Sequence, residues 1–211
     1  TPLADRFNGP QPIACFRTSW QPDAAYLAIK GGSAAVSHGQ MDVGAFVYDA
    51  GGVRWFHDLG SDNYNMPGYF GGQRWNYYRL TSLSHNTLVI GDQAQKVTKT
   101  PAQLTEATRN GDTSLATFDL TPAYGGQATR VTRKAGFDHS TGRVTIDDQI
   151  VQPGGDVRWA VFTKAKITID VQQATLEENG NRLVITRLNP PGCQWPVSAT
   201  NPTTEPERQK K

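Results

Sequence analysis

At 211 residues, with 37% hydrophobic content and a formal net charge of +2, the chain can bury one substantial core but carries no nucleic-acid footprint. It has no apolar run of membrane-spanning length, and the opening TPLADRFNGP lacks the apolar core of a signal peptide. There is no P-loop, dinucleotide fingerprint or serine-nucleophile elbow, which removes weight from those enzyme classes.

Residues 1–12 contain three prolines and read as a linker or irregular lead-in. Two strands, 13–20 and 25–30, follow around the turn-like QPD. A strand through His38, Gln40, Asp42, Phe46 and Tyr48 would put these side chains on one face, because extended chain alternates faces. Gly51 and Gly52 signal a hairpin, with 53–58 as the returning strand. From Asp58 to His85 the chain is rich in Gly, Asn and aromatics without a period, which predicts a long loop on a rigid sheet. His85, Asn86, Thr87, Leu88 and Val89 alternate as a third strand. Residues 101–107 are the one plausible short helix. Further strands are predicted over 114–120, 129–137, 143–151, 157–163, 166–171 and 182–188, separated by the turn chemistry of DHSTG, QPGGD and ENGN. Many short strands rich in Thr and Val specify an all-β fold, a large antiparallel sandwich of supersandwich type, over 13–200. The tail NPTTEPERQKK over 201–211 is polar. Cys15 and Cys193 either close a very long disulfide loop or stand as two thiols; neither has metal-knuckle or redox spacing.

The stretch 37–95 holds His38, His57 and His85, three of four histidines, together with five of seven tyrosines. Three neighbouring strands that each deliver one polar side chain would build a metal or substrate site there. Arg74, Trp75, Tyr77, Tyr78 and Arg79 combine guanidinium groups, which pair bidentately with carboxylates, with flat faces that stack on sugar rings. Tyr69 and Tyr64 lie on the same loop. On these grounds Arg74, Trp75, Tyr78 and Tyr69 are candidate substrate-binding residues, against the alternative that Trp75 and a tyrosine fill the core while the arginines are solvated. His57 and His139 read as structural or exposed.

His38, Gln40 and Asp42 followed by GAFVYDAGGVRWFHDLG and then RWNYYRLTSLSHNTLVI resemble the C-terminal β-domain of heparinase II/III-like polysaccharide lyases. The resemblance runs from about Phe16 to beyond Trp159, and its specificity lies in the ordered combination. It implies a helical toroid domain upstream, an acidic polysaccharide as substrate and a periplasmic or secreted location. It also implies β-elimination, in which the uronate carboxylate is neutralised, a base removes the C5 proton and an acid protonates the leaving oxygen. His38 matches a histidine implicated in that chemistry, with a tyrosine and other groups coming from the toroid.

The resemblance further implies a divalent metal, usually zinc, on the positions of Gln40, Asp58 and His85. Gln40 departs from the family's HxHxD pattern, and an amide oxygen is a poorer zinc ligand than imidazole. Asp42 reads as a residue that orients a neighbour or a turn. A rival reading is a non-catalytic carbohydrate-binding or structural module that keeps the fold.

Overall fold

The computed structural model describes residues 1–189 and 196–197. Its fourteen strands among the described residues form antiparallel sheets, as the sequence predicts. The first sheet runs β1 (Ala4–Phe7), β2 (Ile13–Arg17), β3 (Tyr26–Lys30), β4 (Phe46–Ala50) and β5 (Val53–Phe56), each paired with the next. The second has β7 (Gln103–Asn110), β8 (Thr113–Asp119), β9 (Arg130–Asp138) and β10 (Val144–Val151) in the order β10-β9-β8-β7. A two-stranded sheet joins β6 (Leu88–Ile90) to β11 (Val157–Trp159). β12 (Lys166–Asp170), β13 (Gln173–Glu178) and β14 (Asn181–Thr186) make a three-stranded sheet. No helix of the described residues is long and apolar enough to cross a membrane.

The two larger sheets face each other across one core. Ala14, Phe16, Leu27 and Ile29 from the first meet Ala116, Phe118, Val131 and Phe137 from the second, all almost fully buried, with the Phe16 and Phe137 ring centroids 6.0 Å apart. Strict alternation makes this possible: β2 and β3 bury every second residue, and so does β8. Each large apolar side chain buried in this way stabilises the fold by roughly 1.5–3 kcal/mol relative to exposure.

Polar pins cross the sandwich. The His139 Nδ1 is 2.8 Å from the Arg17 carbonyl, which can only accept, so Nδ1 carries a proton, and in the neutral imidazole Nε2 accepts from the Ser114 hydroxyl at 2.8 Å. His139 is therefore structural and buried. Arg133, fully buried, donates to both Asp148 carboxylate oxygens at 2.7 Å and to the carbonyls of Gly44 and Asn86. A buried guanidinium is tolerated because nearly all its donors are used.

The hairpin between β4 and β5 closes as expected. Ala50 pairs with Val53, leaving Gly51 and Gly52 at φ of +62° and +74°, the conformation that a two-residue turn of this hand requires.

Three expectations are corrected, and one strand is added to those expected. The lead-in contains β1, because its backbone pairs residue by residue with β2 despite the prolines around it. The 101–107 helix is instead the start of β7, where the edge of β8 supplies hydrogen bonds that override a weak local helix preference. β13, QATLEE, has few β-formers and becomes a strand through its partners on both sides. Finally, residues 37–45 are turns and irregular chain, and β4 begins only at Phe46. Cys193, its pairing with Cys15 and the 201–211 tail lie outside the described residues; the Cys15 sulfur accepts a 3.4 Å hydrogen bond from Tyr26.

Candidate functional site

Asp58 lies just past the end of β5, where the His57 amide is still bonded to the Phe162 carbonyl. His85 follows a short 3-10 turn, Ser82–Ser84, and enters β6 in extended conformation rather than as a strand residue. The two side chains meet: His85 Nδ1 is 2.9 Å from Asp58 Oδ2. Burial pushes the Asp58 carboxyl up, but the hydrogen bond and charge of His85, the Gly60 amide and Lys30 outweigh it, and the group sits below its ordinary value. An ionised carboxylate only accepts, so Nδ1–H donates, leaving Nε2 buried with no hydrogen-bond partner among the described residues.

Asn86 holds this pair in place. Its amide nitrogen donates to the carbonyls of Phe46 at 2.8 Å and His57 at 2.9 Å, and its oxygen accepts the Phe162 amide at 2.7 Å. One side chain thus ties the residue after His85 to the residue before Asp58.

The 37–45 segment is anchored separately. The Gln95 amide binds the Val43 backbone in both directions, at 3.0 and 2.8 Å, and Thr87 Oγ1 donates to the same carbonyl at 2.7 Å. Lys30, at the end of β3, bonds both carboxylate oxygens of Asp42 at 2.7 and 2.8 Å, which gives Asp42 the orienting role expected of it. This folding puts Lys30, His38, Gln40, Asp42 and Asp58 around one surface pocket. His85 stands behind Asp58, fully buried. The convergence predicted from strand alternation is achieved by a turn instead.

His38 is exposed and has a φ of +58°, a left-handed conformation costing a non-glycine residue on the order of 1–3 kcal/mol. Its ring lies 5.6 Å from that of Tyr64 and 5.2 Å from that of Phe70, and those two rings are 4.9 Å apart.

The loop residues sort differently from expectation. Met66, Tyr69, Tyr77 and Leu80, with Trp75 packed against them, form a small core of their own beneath the loop. Tyr69 is only 2% exposed and its hydroxyl accepts the Asp62 amide, so it is a packing residue rather than a sugar-binding one. Arg74 is turned inward, donating to the carbonyls of Tyr69 at 3.0 Å and Gly39 at 2.5 Å. Trp75 and Tyr78 are half-buried, and burial pushes the Tyr78 hydroxyl up. The exposed aromatic rings nearest His38 are Tyr64 and Phe70. No local sequence pattern marks Phe70 or Lys30, whose places at the site follow from the fold.

The donor set does not fit a zinc centre. Zinc takes four ligands or three plus water, drawn mainly from thiolate, imidazole and carboxylate. Among the described residues no three His, Cys, Asp or Glu side chains are grouped to hold a metal, and Asp58 and His85 are already bonded to each other. Gln40 adds only an amide oxygen to the pocket.

The family model described as "Heparinase II/III-like, C-terminal" matches residues 15–206. A heparin-sulfate lyase of Bacteroides stercoris is 39% identical over 88 residues, covering 40% of this chain and 13% of that protein. The solved heparan sulfate lyase of Pedobacter heparinus shares the fold with a TM-score of 0.74 at 19% identity, covering 89% of this chain and 29% of that one. A heparinase III structure aligns with a TM-score of 0.68 at 22% identity, covering 88% of this chain and again 29% of the other. The chain thus spans a small part of the length of the relatives it matches. With the matched region covering most of its residues and the sandwich built as in those structures, the chain belongs to the heparinase II/III-like family, as its C-terminal domain.

Proposed function

We propose that this domain forms one wall of the active site of a lyase that cleaves uronic-acid-containing polysaccharide by β-elimination, with His38 exchanging a proton with the substrate. The observation that carries this reading is the exposed His38 imidazole, held in strained backbone at the rim of a pocket that also contains Lys30, Gln40, Asp42 and Asp58. An imidazole changes charge near neutral pH and suits either proton transfer of the elimination. The printed names of the relatives, a heparin-sulfate lyase and a heparan sulfate lyase, support an acidic polysaccharide as substrate.

In this reading Asp58 and His85 act as a hydrogen-bonded unit that shapes the pocket wall. Lys30 is already paired with Asp42, so a group that neutralises the substrate carboxylate comes from elsewhere, as does the partner acid or base. Both are assigned in this proposal to a helical toroid domain, which the family resemblance implies upstream. The 211-residue chain alone is accordingly expected to show little turnover, and a longer protein including that domain should be active on heparan-type or other uronate polymers. Product formation is followed by the ultraviolet absorbance of the unsaturated uronyl end. Robust cleavage by the 211-residue chain would overturn this division of labour. The non-catalytic carbohydrate-binding reading is favoured by one feature, Gln40 in place of histidine, and predicts binding without turnover even in the longer protein.

A further inference from the structure

We infer that Arg74 is a positioning residue that fastens the His38 turn to the aromatic loop, so that Tyr64 and Phe70 hold the imidazole in one orientation. The inference rests on the reading of His38 as the proton-transferring group. Its geometry is independent of that reading.

His38 has no secondary structure to hold it. The nearest backbone tie is the Gly39 amide to the Val36 carbonyl, within the same turn. The Gly39 carbonyl, one residue past His38, accepts from Arg74 Nη2 at 2.5 Å, while Nη1 of the same guanidinium reaches the Tyr69 carbonyl at 3.0 Å. The guanidinium carbon also lies 5.3 Å from the ring centroid of Tyr69, 5.5 Å from Phe70 and 5.2 Å from Trp75. Arg74 thus bridges two segments 30 residues apart in sequence and stacks within the loop whose tip carries Phe70.

Phe70 meets the His38 ring edge-on at 74°, and Tyr64 lies tilted at 38° beside it. Edge contacts of this kind restrict ring rotation and cost little solvation, because the imidazole keeps one side open to the pocket. A planar fork that donates in two directions while stacking on rings is a role lysine cannot copy.

The test uses Arg74→Lys, Phe70→Leu and Phe70→Tyr, with folding checked by thermal melting. Phe70 is exposed, so its variants keep the fold even where Arg74→Lys does not. The His38 ring-proton signals of the 211-residue chain are compared by NMR, and kcat and KM are measured in the longer lyase on a heparan-type polymer. In Arg74→Lys and Phe70→Leu the ring signals should move toward those of an unstacked histidine, and kcat should fall roughly tenfold to hundredfold with KM within about twofold, the pattern of a misplaced group. Phe70→Tyr should restore both. Unchanged His38 signals in the folded variants would overturn the inference, as would a rise in KM at constant kcat, which would return Arg74 to substrate binding. Moved signals with full turnover in His38→Ala would leave the positioning in place and remove the proton-transfer reading.

Discussion

Asp58 and His85, 27 residues apart, share a 2.9 Å hydrogen bond although one follows a strand and the other precedes one. The geometry depends on Asn86, whose side chain joins the two segments through three main-chain groups.

Asn86→Ala leaves the carbonyls of Phe46 and His57 and the amide of Phe162 without that partner in a buried setting. The expected loss of unfolding free energy is about 2–4 kcal/mol, from unmet buried hydrogen bonds and the deleted side chain. Urea denaturation of the 211-residue chain measures it; a loss under about 0.5 kcal/mol would show that water takes over those bonds.

Gln40 supplies an amide where zinc favours imidazole. Protein purified in the presence of zinc and then desalted should hold well under one equivalent by metal analysis, and a chelator should leave its melting temperature unchanged. Gln40→His adds an imidazole to the pocket but leaves Asp58 and His85 bonded to each other, so retained zinc should stay below one equivalent there too. Stoichiometric zinc in the unmodified chain would restore the metal centre that the family resemblance implies.

Asp138 carries a prediction for pH. Hydrogen bonds from the Ser140 hydroxyl and from the Thr141 and Ser140 amides hold its carboxyl down at about 2, against an ordinary value of 3.8. A depressed carboxyl stabilises the folded state above its unfolded value and loses that contribution as pH falls toward the folded one. The β9–β10 turn should therefore stay ordered at pH 4 and loosen as pH approaches 2. Carboxyl chemical shifts followed against pH test this, and a midpoint near 3.8 would contradict it.

The β-sandwich was legible because alternation and turn residues are local signals. β8, β9 and β10 fall within one or two residues of their sequence positions, and the Gly51–Gly52 hairpin closes as its residues demand. β1 and β7 were not legible, because partners remote in sequence make them strands. The proximity of His38, Gln40 and Asp58 around one pocket, with His85 bonded behind Asp58, follows positions that the family resemblance marks. The site was not legible in its mechanics. No local pattern tells that 37–45 is a turn pinned by Gln95 and Thr87, or that Arg74 points inward to Gly39. Tyr69 departs from expectation for the same reason: a tyrosine on a glycine-rich loop gives no sign that the loop carries its own small core.

The most direct test of the proposed chemistry is turnover on a heparan-type polymer by a longer protein that includes the proposed upstream domain and carries His38→Ala, read by ultraviolet absorbance of the unsaturated product. Removal of one group that transfers a proton typically lowers the rate about 10²–10⁴-fold, and that fall is expected here with the melting temperature preserved, because the His38 side chain is exposed. Full activity in a folded His38→Ala protein would contradict the account and leave His38 without a part in the elimination.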